Sequence, residues 1–301
     1  MSQCIYKACA DLSTKLIHAH FGRAGIASIK LKNIHGVPLI TSFYGFDLGS
    51  DKFRLNKHYK KLANVGDLFL ALSEDMKKDL IDNGFLEEKI VIHHLGVDLN
   101  IFSPAPLNTK FSGDFIFTIV ASFTERKGIH FAIKSFKMLK KYHSVKNCKL
   151  RIVGDGPYFN QLKLISNDDT DIVFINNFVS ENPRAMVLEE MQNCDVFLLT
   201  SIKLPDSDKE GTPVVLMEAQ ACGKTCISTF HAGIPEVVLN NQTGILVPEG
   251  DIESLTSAML HLYSNDSLRR NLGENARKHI SKNFNNKIQD NKLINIYKKF
   301  I

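Results

Sequence analysis

An α/β protein of two parallel-sheet domains is the fold class this sequence predicts, and three observations predict it. Short β-branched runs alternate with longer helical patterns along nearly the whole chain. The strand runs are almost continuously apolar, as expected where strands are covered on both faces. The 301 residues suit two ordinary domains better than one, and a single long non-periodic segment, "FSPAPLNTKFSGD" (102–114), interrupts the alternation.

Four strands are expected before that break: "KLIHAH" (15–20), "VPLITSF" (37–43), "DLFLAL" (67–72) and "KIVIHH" (89–94). After it come "FIFTIVA" (115–121), "CKLRIVG" (148–154), "DIVFIN" (171–176), "DVFLLT" (195–200) and "TCISTF" (225–230), enough for a full doubly wound sheet of five or six strands. The segment "GIHFAIKSFKMLKKY" (128–142) has helical spacing, with Phe131, Ser135 and Leu139 on one face and Ile133 and Phe136 beside them. From Asp251 onward the pattern is helical with Asn, Asp and Ser breaks. The domains are therefore expected at 1–105 and 106–301. A doubly wound domain normally carries its ligand loop after its first strand. With only four strands, the first domain is either unusually small or lacks its opening βαβ units.

Composition narrows the class. Hydrophobic residues make up 44% and charged residues 23%, which excludes a disordered or low-complexity chain. The net charge of +5 permits an anionic ligand without singling out nucleic acid or a membrane. No apolar run approaches a membrane span, and the opening residues show no signal-peptide pattern. The six cysteines form no CxxC pair, so reduced core thiols in a cytoplasmic protein are expected rather than a zinc site or disulfide frame.

The residues with chemical promise fall mostly at the ends of predicted strands. In "KEGTPVVLMEAQACGK" (209–224), Glu218 interrupts an apolar helical run. Gly211, Thr212 and Pro213 fit a helix start and Gly223 a stop. The helix follows a strand, so its N-terminus should lie at the carboxyl edge of the sheet, where ligands bind and where free N–H groups favour phosphate. Glu210 then stands at the mouth and Glu218 about two turns deeper. Two carboxylates so placed can hold hydroxyl groups of a polyol. The plainer alternatives are a solvated loop for Glu210 and a core ion pair for Glu218.

"TERKGI" (124–129) sets Arg126 and Lys127 in the first strand-to-helix loop of the second domain, where a cation can meet phosphate. "IVGDGPYF" (152–159) resembles half of a dinucleotide fingerprint but lacks its third glycine, which leaves a nicotinamide dehydrogenase poorly supported. Asp206 and Asp208 have a spacing that suits a divalent ion, yet an exposed loop has the same composition, and the metal-dependent alternative is disfavoured. In the first domain, His18 and His20 share one strand face in "HAHF", and "SFYGFD" closes the next strand. "DKFRLNKHYKKL" (51–62) is a basic amphipathic helix with Leu55, Tyr59 and Leu62 on one stripe; a solvated helix is the default and contact with anionic lipid the alternative.

With these residues assembled, the chain resembles a retaining glycosyltransferase of family 4, with the GT-B fold of two Rossmann-like domains facing a cleft. "EGTPVVLMEAQACGKTCISTFHAGIPEVVLNNQTGILVPEGD" is similar to the family's E-x7-E segment and its continuation, and "LALSEDMKKDLIDNGFLEEKIVIHHLGVDLNIFSP" to the segment closing the N-terminal domain. The variant is similar to exopolysaccharide enzymes of the colanic acid and amylovoran type. The resemblance implies a nucleotide-sugar donor held by the second domain and a glycan or lipid-linked acceptor received by the first. It implies no metal, no separate cofactor and no nucleic-acid partner, with the work done in the cytoplasm and a peripheral membrane contact allowed.

By the same resemblance Glu210 is the catalytic residue, positioning the donor sugar and stabilising charge, with the Gly211 and Thr212 amides beside it. Glu218 would hold the ribose hydroxyls, Lys127 the diphosphate, and Val179 the base. Where the family commonly carries an arginine five residues before this lysine, the chain has Ser122, and Arg126 is expected to supply that charge. Where many members carry a histidine touching the donor sugar, the chain has Tyr44, so His20 and Tyr44 are the candidates on the acceptor or donor-sugar side. Members of the family usually carry further N-terminal strands and a glycine-rich loop facing the donor phosphates. The resemblance therefore implies an N-terminally short polypeptide with an incomplete first domain, and the alternative is a remnant that binds nucleotide sugar without turnover.

Overall fold

A computed structural model describes residues 13–48, 57–105, 113–143, 145–176, 179–204 and 209–301. Its strands and helices separate into two compact units. The first comprises Met1–Gly96, Leu204–Thr212 and Lys287–Ile301; the second comprises Val97–Lys203 and Pro213–Asn286. Residues 204–212 and 287–301, which a cut at 105 assigns to the second domain, thus pack with the first.

The first unit holds a parallel sheet in chain order, β1 (Ile17–His20), β2 (Leu39–Ser42), β3 (Leu68–Ala71) and β4 (Ile90–Ile92). The strands expected from the sequence are all present. Between them run α1 (Gly22–His35), a helical turn at Gly45–Leu48, α2 (Lys57–Val65) and α3 (Glu74–Asp82). Ser73 caps α3 by accepting from the Met76 amide, a polar residue placed where the first N–H groups lack partners.

Because side chains alternate along a strand, each strand feeds two cores. Ala19, Leu39, Phe69 and Ala71 meet Ile29, Leu62, Met76 and Leu80 from the helices. The intervening Ile40 and Leu70 meet Leu293 and Ile296. Those two residues belong to the last helix of the chain, which returns to cover the second face of this sheet. Tyr59 and Leu62 of the basic helical stripe are buried in the first of these cores, at 6% and 0% exposure, so this apolar face is spent on folding. Leu55 lies outside the described residues.

The second unit contains β5 (Phe115–Val120), β6 (Cys148–Val153), β7 (Ile172–Ile175), β8 (Val196–Leu199), β9 (Thr225–Thr229) and β10 (Gly244–Val247). Their order is β10-β9-β8-β5-β6-β7, all parallel. The direction of winding reverses between β5 and β8, the switch point of a doubly wound sheet. Strand β10 is the sixth strand that the sequence leaves unlocated. It is only four residues long within "TGILVP", too short to show a period.

The helices are α4 (Ile129–His143), α5 (Phe159–Ser166), α6 (Pro183–Asn193), α7 (Val214–Ala221), α8 (Ile252–Ser264) and α9 (Asp266–Asn283); α10 (Asn286–Tyr297) is the one that returns to the first unit. On one face of the sheet Phe117, Ile119 and Leu150 pack against Ile133, Phe136 and Leu139 of α4 and Met259 of α8. On the other, Ile116, Phe197 and Leu199 pack against Met191 of α6 and Leu216 and Met217 of α7. Phe136 is fully buried, a contribution of about 1.5–3 kcal/mol from apolar area alone. The buried side of α4 carries Ile129, Ala132, Ile133, Ser135, Phe136 and Leu139, so four of the five residues grouped from the sequence are in the core, while Phe131 is only partly buried.

Cys148, Cys194, Cys222 and Cys226 are buried free thiols, and Cys4 and Cys9 lie outside the described residues. Burial pushes the thiols of Cys148, Cys194 and Cys222 up to about 12, which leaves them protonated and inert. Among the described residues no helix is long and apolar enough to cross a membrane.

Candidate functional site

In the second unit the loops leaving β5 and β8 meet at the switch point. After β5 the chain makes a 3-10 turn at Glu125–Lys127 and reverses at Gly128, whose φ of 61° is left-handed. The Thr200 hydroxyl donates to the Gly128 carbonyl oxygen at 3.0 Å, and the Ile202 amide donates to the Arg126 carbonyl oxygen at 2.8 Å. Arg126 and Lys127 thus ride on a turn held at both ends by the neighbouring strand's loop. Such a fixed backbone lets a long cationic side chain act from a defined origin.

The two glycines of "GDGP" have a packing task. A Cβ on Gly154 would lie 2.0 Å from the Ala121 carbonyl oxygen, and one on Gly156 2.6 Å from that of Phe123. They let the β6 loop lie directly on the β5 loop, which explains the partial fingerprint without a dinucleotide.

Helix α7 begins after Pro213, which serves as the N-cap and supplies no side-chain cap. The Leu216 amide donates to the Pro213 carbonyl oxygen at 3.1 Å, so the amides ahead of it, those of Val214 and Val215, are the ones at the positive end of the helix dipole. Glu218 lies on this helix and is half-buried. Burial pushes its carboxyl up to about 7, and the positive charge of Arg184 offsets part of that rise. Among the described residues nothing hydrogen-bonds this carboxylate. Among the described residues Glu218 forms no core ion pair, its plain alternative, and Arg184 itself is exposed.

Val179 follows β7 and is 80% exposed. The Glu249 carboxylate accepts from His231 Nδ1 and from the Lys203 amide, both at 2.7 Å, tying the loop after β8 to the end of β10. Sequence reasoning passed over His231 and Glu249. Each stands just past a strand, at the carboxyl edge, and that position was the available signal.

Glu210, Gly211 and Thr212 belong to the first unit. Lys209, beside Glu210, pairs with Asp75 at 3.2 Å and Asp79 at 2.8 Å, both on α3. A Cβ on Gly211 would lie 2.7 Å from Leu72 Cδ1, so a side chain there would displace the loop. Thr212 is buried, and its hydroxyl has no hydrogen-bond partner among the described residues. The sequence expectation put Glu210 and Glu218 on one domain as a single motif; they fall in separate packing units.

The first unit also brings together His20 and Tyr44, whose Nδ1 and Oη are 2.7 Å apart. They line a cavity of about 170 Å³ at the carboxyl ends of β1 to β4, with His18, His93 and His94. His18 spans Ser42 on β2 at 2.8 Å and Tyr297 on α10 at 2.5 Å. Burial, with His20 and His93 adding to it, holds His18 down to about 4, so the ring is neutral at neutral pH. His93 Nε2 faces the Gln289 carbonyl oxygen at 3.1 Å and His94 Nδ1 that of Leu72 at 2.8 Å. A carbonyl only accepts, so each of these nitrogens carries a proton. The repeat of the His-rich strand end, "HAH" then "HH", was visible in the sequence, but not that the two would share a cavity.

Asp47 is buried and accepts from the Gly22 and Tyr44 amides, both at 3.0 Å, joining the loops that present His20 and Tyr44. Asp206 and Asp208 lie outside the described residues. Among the residues described, no group of three or more His, Cys, Asp or Glu is placed to hold a metal ion.

Residues 106–279 match the family described as glycosyl transferases group 1, and residues 3–101 match glycosyltransferase family 4. The WcaL protein of Escherichia coli (strain K12), provisionally named a colanic acid biosynthesis glycosyltransferase, is 34% identical over 287 residues, covering 92% of this chain and 69% of its own. The amylovoran biosynthesis glycosyltransferase AmsK of Erwinia amylovora is 33% identical over 248 residues, covering 81% and 60%. Among solved structures, Anabaena Alr3699/HepE in complex with UDP superposes with a TM-score of 0.83 at 19% identity, covering 98% of this chain and 81% of that one. At that identity the likeness shows the shared fold, which is GT-B.

Proposed function

The chain belongs to the group 1 glycosyl transferases, and from that premise we propose that it moves a sugar from a nucleotide-sugar donor to a cell-surface polysaccharide or lipid-linked glycan, with retention of anomeric configuration. The observation that carries this reading is the switch point of the second unit. A turn bearing Arg126 and Lys127 is fixed there by Thr200 and Ile202. Helix α7, with uncapped first amides, carries a half-buried carboxylate that no protein group hydrogen-bonds among the described residues.

In this scheme Lys127, Arg126 and the first amides of α7 meet the donor diphosphate. Glu218 accepts from two ribose hydroxyls, which restores to its carboxylate the hydrogen bonds lost on burial. Val179 flanks the base. Glu210, with the Gly211 and Thr212 amides, orients the donor sugar. The acceptor is received by the first unit near His20 and Tyr44.

The acceptor hydroxyl oxygen bonds to the anomeric carbon on the face from which the nucleotide departs, as the bond from that carbon to the phosphate oxygen breaks. The hydroxyl proton passes to the leaving diphosphate. Charge developing on that diphosphate is met by fixed cations and dipoles, the term that usually dominates such catalysis.

Two similar proteins support the donor and acceptor classes. One is Anabaena HepE, whose structure is known in complex with UDP-glucose. The other is an Escherichia coli UDP-galactose galactosyltransferase, 27% identical, named for its action on a diphosphoundecaprenol-linked sugar. With an acceptor of that kind, transfer at the inner face of the cell membrane is the location we propose.

The test is a panel of sugar nucleotides, UDP-glucose, UDP-galactose, UDP-N-acetylglucosamine and GDP-mannose, scored for thermal stabilisation and for transfer to lipid-linked sugar. Stabilisation by one donor that is lost in Glu218→Gln, together with turnover, is the expected result. Binding without turnover would leave only a nucleotide-sugar binding protein.

A further inference from the structure

The segment carrying Glu210 connects β8 to α7, both in the second unit, yet Leu204–Thr212 packs with the first. Three separate contacts seat its described part. Lys209 Nζ donates to Asp79 at 2.8 and 3.0 Å and to Asp75 at 3.2 Å. The Lys209 carbonyl oxygen lies so near Gly45 that a Cβ there would sit 2.1 Å away. Gly211 presses on Leu72 at the end of β3, with no room for a side chain. Both supports, Gly45 and Leu72, directly adjoin residues of the histidine-lined cavity or form its wall.

Of these contacts the ion pair is the one that chooses a position. Close glycine approaches permit the backbone to come near, but they supply no directional attraction. Lys209 is three-quarters buried and Asp79 more so, with side-chain exposures of 23% and 16%. Burial lowers the pKa of Lys209, but pairing with Asp79 and Asp75 more than reverses this, so the ammonium stays charged. A paired charge in partly desolvated surroundings holds its geometry more firmly than an exposed surface pair. Glu210 is the next residue, one peptide unit of about 3.8 Å from this anchor.

We propose that Lys209 is a positioning residue of the transfer reaction: by binding Asp79 and Asp75 it seats Glu210 at the carboxyl edge of the first unit's sheet, beside the cavity lined by His20 and Tyr44. This rests on the glycosyl-transfer reading above and on Glu210 acting on the donor sugar. It assigns that carboxylate to the first unit. Lys209 touches no substrate; it acts through Glu210.

The experiment is a double-mutant cycle with a structural readout. Sugar transfer is measured for wild type, Lys209→Met, Glu210→Gln and the double variant, using whichever donor of the panel the wild type turns over. Lys209→Met is expected to lower kcat tenfold or more while UDP affinity changes less than about threefold, Lys209→Arg to recover most of the loss, and Asp79→Asn to reproduce it. In the Glu210→Gln background, Lys209→Met should cost less than about threefold, because the group it positions is already gone. An equal loss in both backgrounds, or no loss in wild type, overturns the proposal.

Hydrogen exchange of the Glu210 and Gly211 amides in ligand-free protein is the second arm. It should quicken at least tenfold in Lys209→Met without a matching fall in the midpoint of global unfolding. Unchanged exchange overturns the proposal even if transfer is never detected. A wild type that turns over no donor would sink the functional reading alone.

Discussion

Gly128 lies against Thr200 so closely that a Cβ on the glycine would stand 1.9 Å from the threonine carbonyl oxygen. The glycine is also left-handed, at φ 61°. Gly128→Ala should therefore cost about 1–3 kcal/mol through backbone strain, and it should move the turn that bears Arg126 and Lys127. Urea unfolding and nucleotide titration together check this: stability falls, and donor affinity falls tenfold or more. A variant that loses stability but binds donor normally would separate this turn from the phosphate site.

We propose that Arg126 supplies the charge that the family commonly carries at the position of Ser122. If it does so, Arg126→Ala and Lys127→Ala should each weaken donor binding by roughly ten- to a hundredfold, the worth of a charge-assisted hydrogen bond of about 1.5–3 kcal/mol. The loss should shrink at high salt. Calorimetric titration with the working donor measures both, and an unchanged Arg126→Ala affinity disposes of the substitution idea.

Glu218 has a pKa of about 7, above the ordinary carboxyl value of 4.5. The folded chain therefore keeps a proton that the unfolded chain releases. Stability falls as pH rises from about 4.5 to 7, and the penalty persists above that range. Glu218→Gln should accordingly raise the unfolding free energy at pH 8 by roughly 1–3 kcal/mol, with little change at pH 4. The same substitution should weaken donor binding. Gained stability with lost affinity is the signature of a carboxylate retained for its ligand; a variant that binds donor as well as wild type removes the ribose assignment.

His18 shows the opposite linkage. Its folded pKa of about 4 lies below the ordinary 6.5. Its contribution is fully present above pH 6.5 and is lost as pH falls toward 4. The rings of His94, His130 and His279, lowered mainly by burial, add to the same slope. Unfolding free energy followed from pH 7 to 4 should drop, and His18→Gln should flatten the curve by roughly 1–3 kcal/mol. An unaltered slope would mean that the cavity admits water or rearranges to take the proton.

Much of this architecture could be read in advance because it follows from local rules. The run "FIFTIVA" could only be a covered strand, and "TPVVLMEAQACG" carries its own helix start and stop. The loops that matter chemically follow strands, so the switch-point turn at Arg126 and Lys127 was visible from chain order alone. Strand β10 was not, since four residues carry no period. Nor was the partial burial of Phe131 on α4, although Ile133, Ser135, Phe136 and Leu139 of the expected stripe are all buried.

Spacing along the chain placed Glu210 and Glu218 eight residues apart and made them look like one device. Packing divides them: the helix carries Glu218 in the second unit, while Lys209 ties Glu210 to Asp75 and Asp79, which lie more than a hundred residues earlier. His93 and His94 likewise join His18 and His20 only when β1 to β4 align their carboxyl ends. Periodicity and end signals act over a few residues and are written in the chain. Ion pairs, shared cavities and the unit to which a loop adheres depend on groups far apart in sequence, and those become definite only once the backbone has folded.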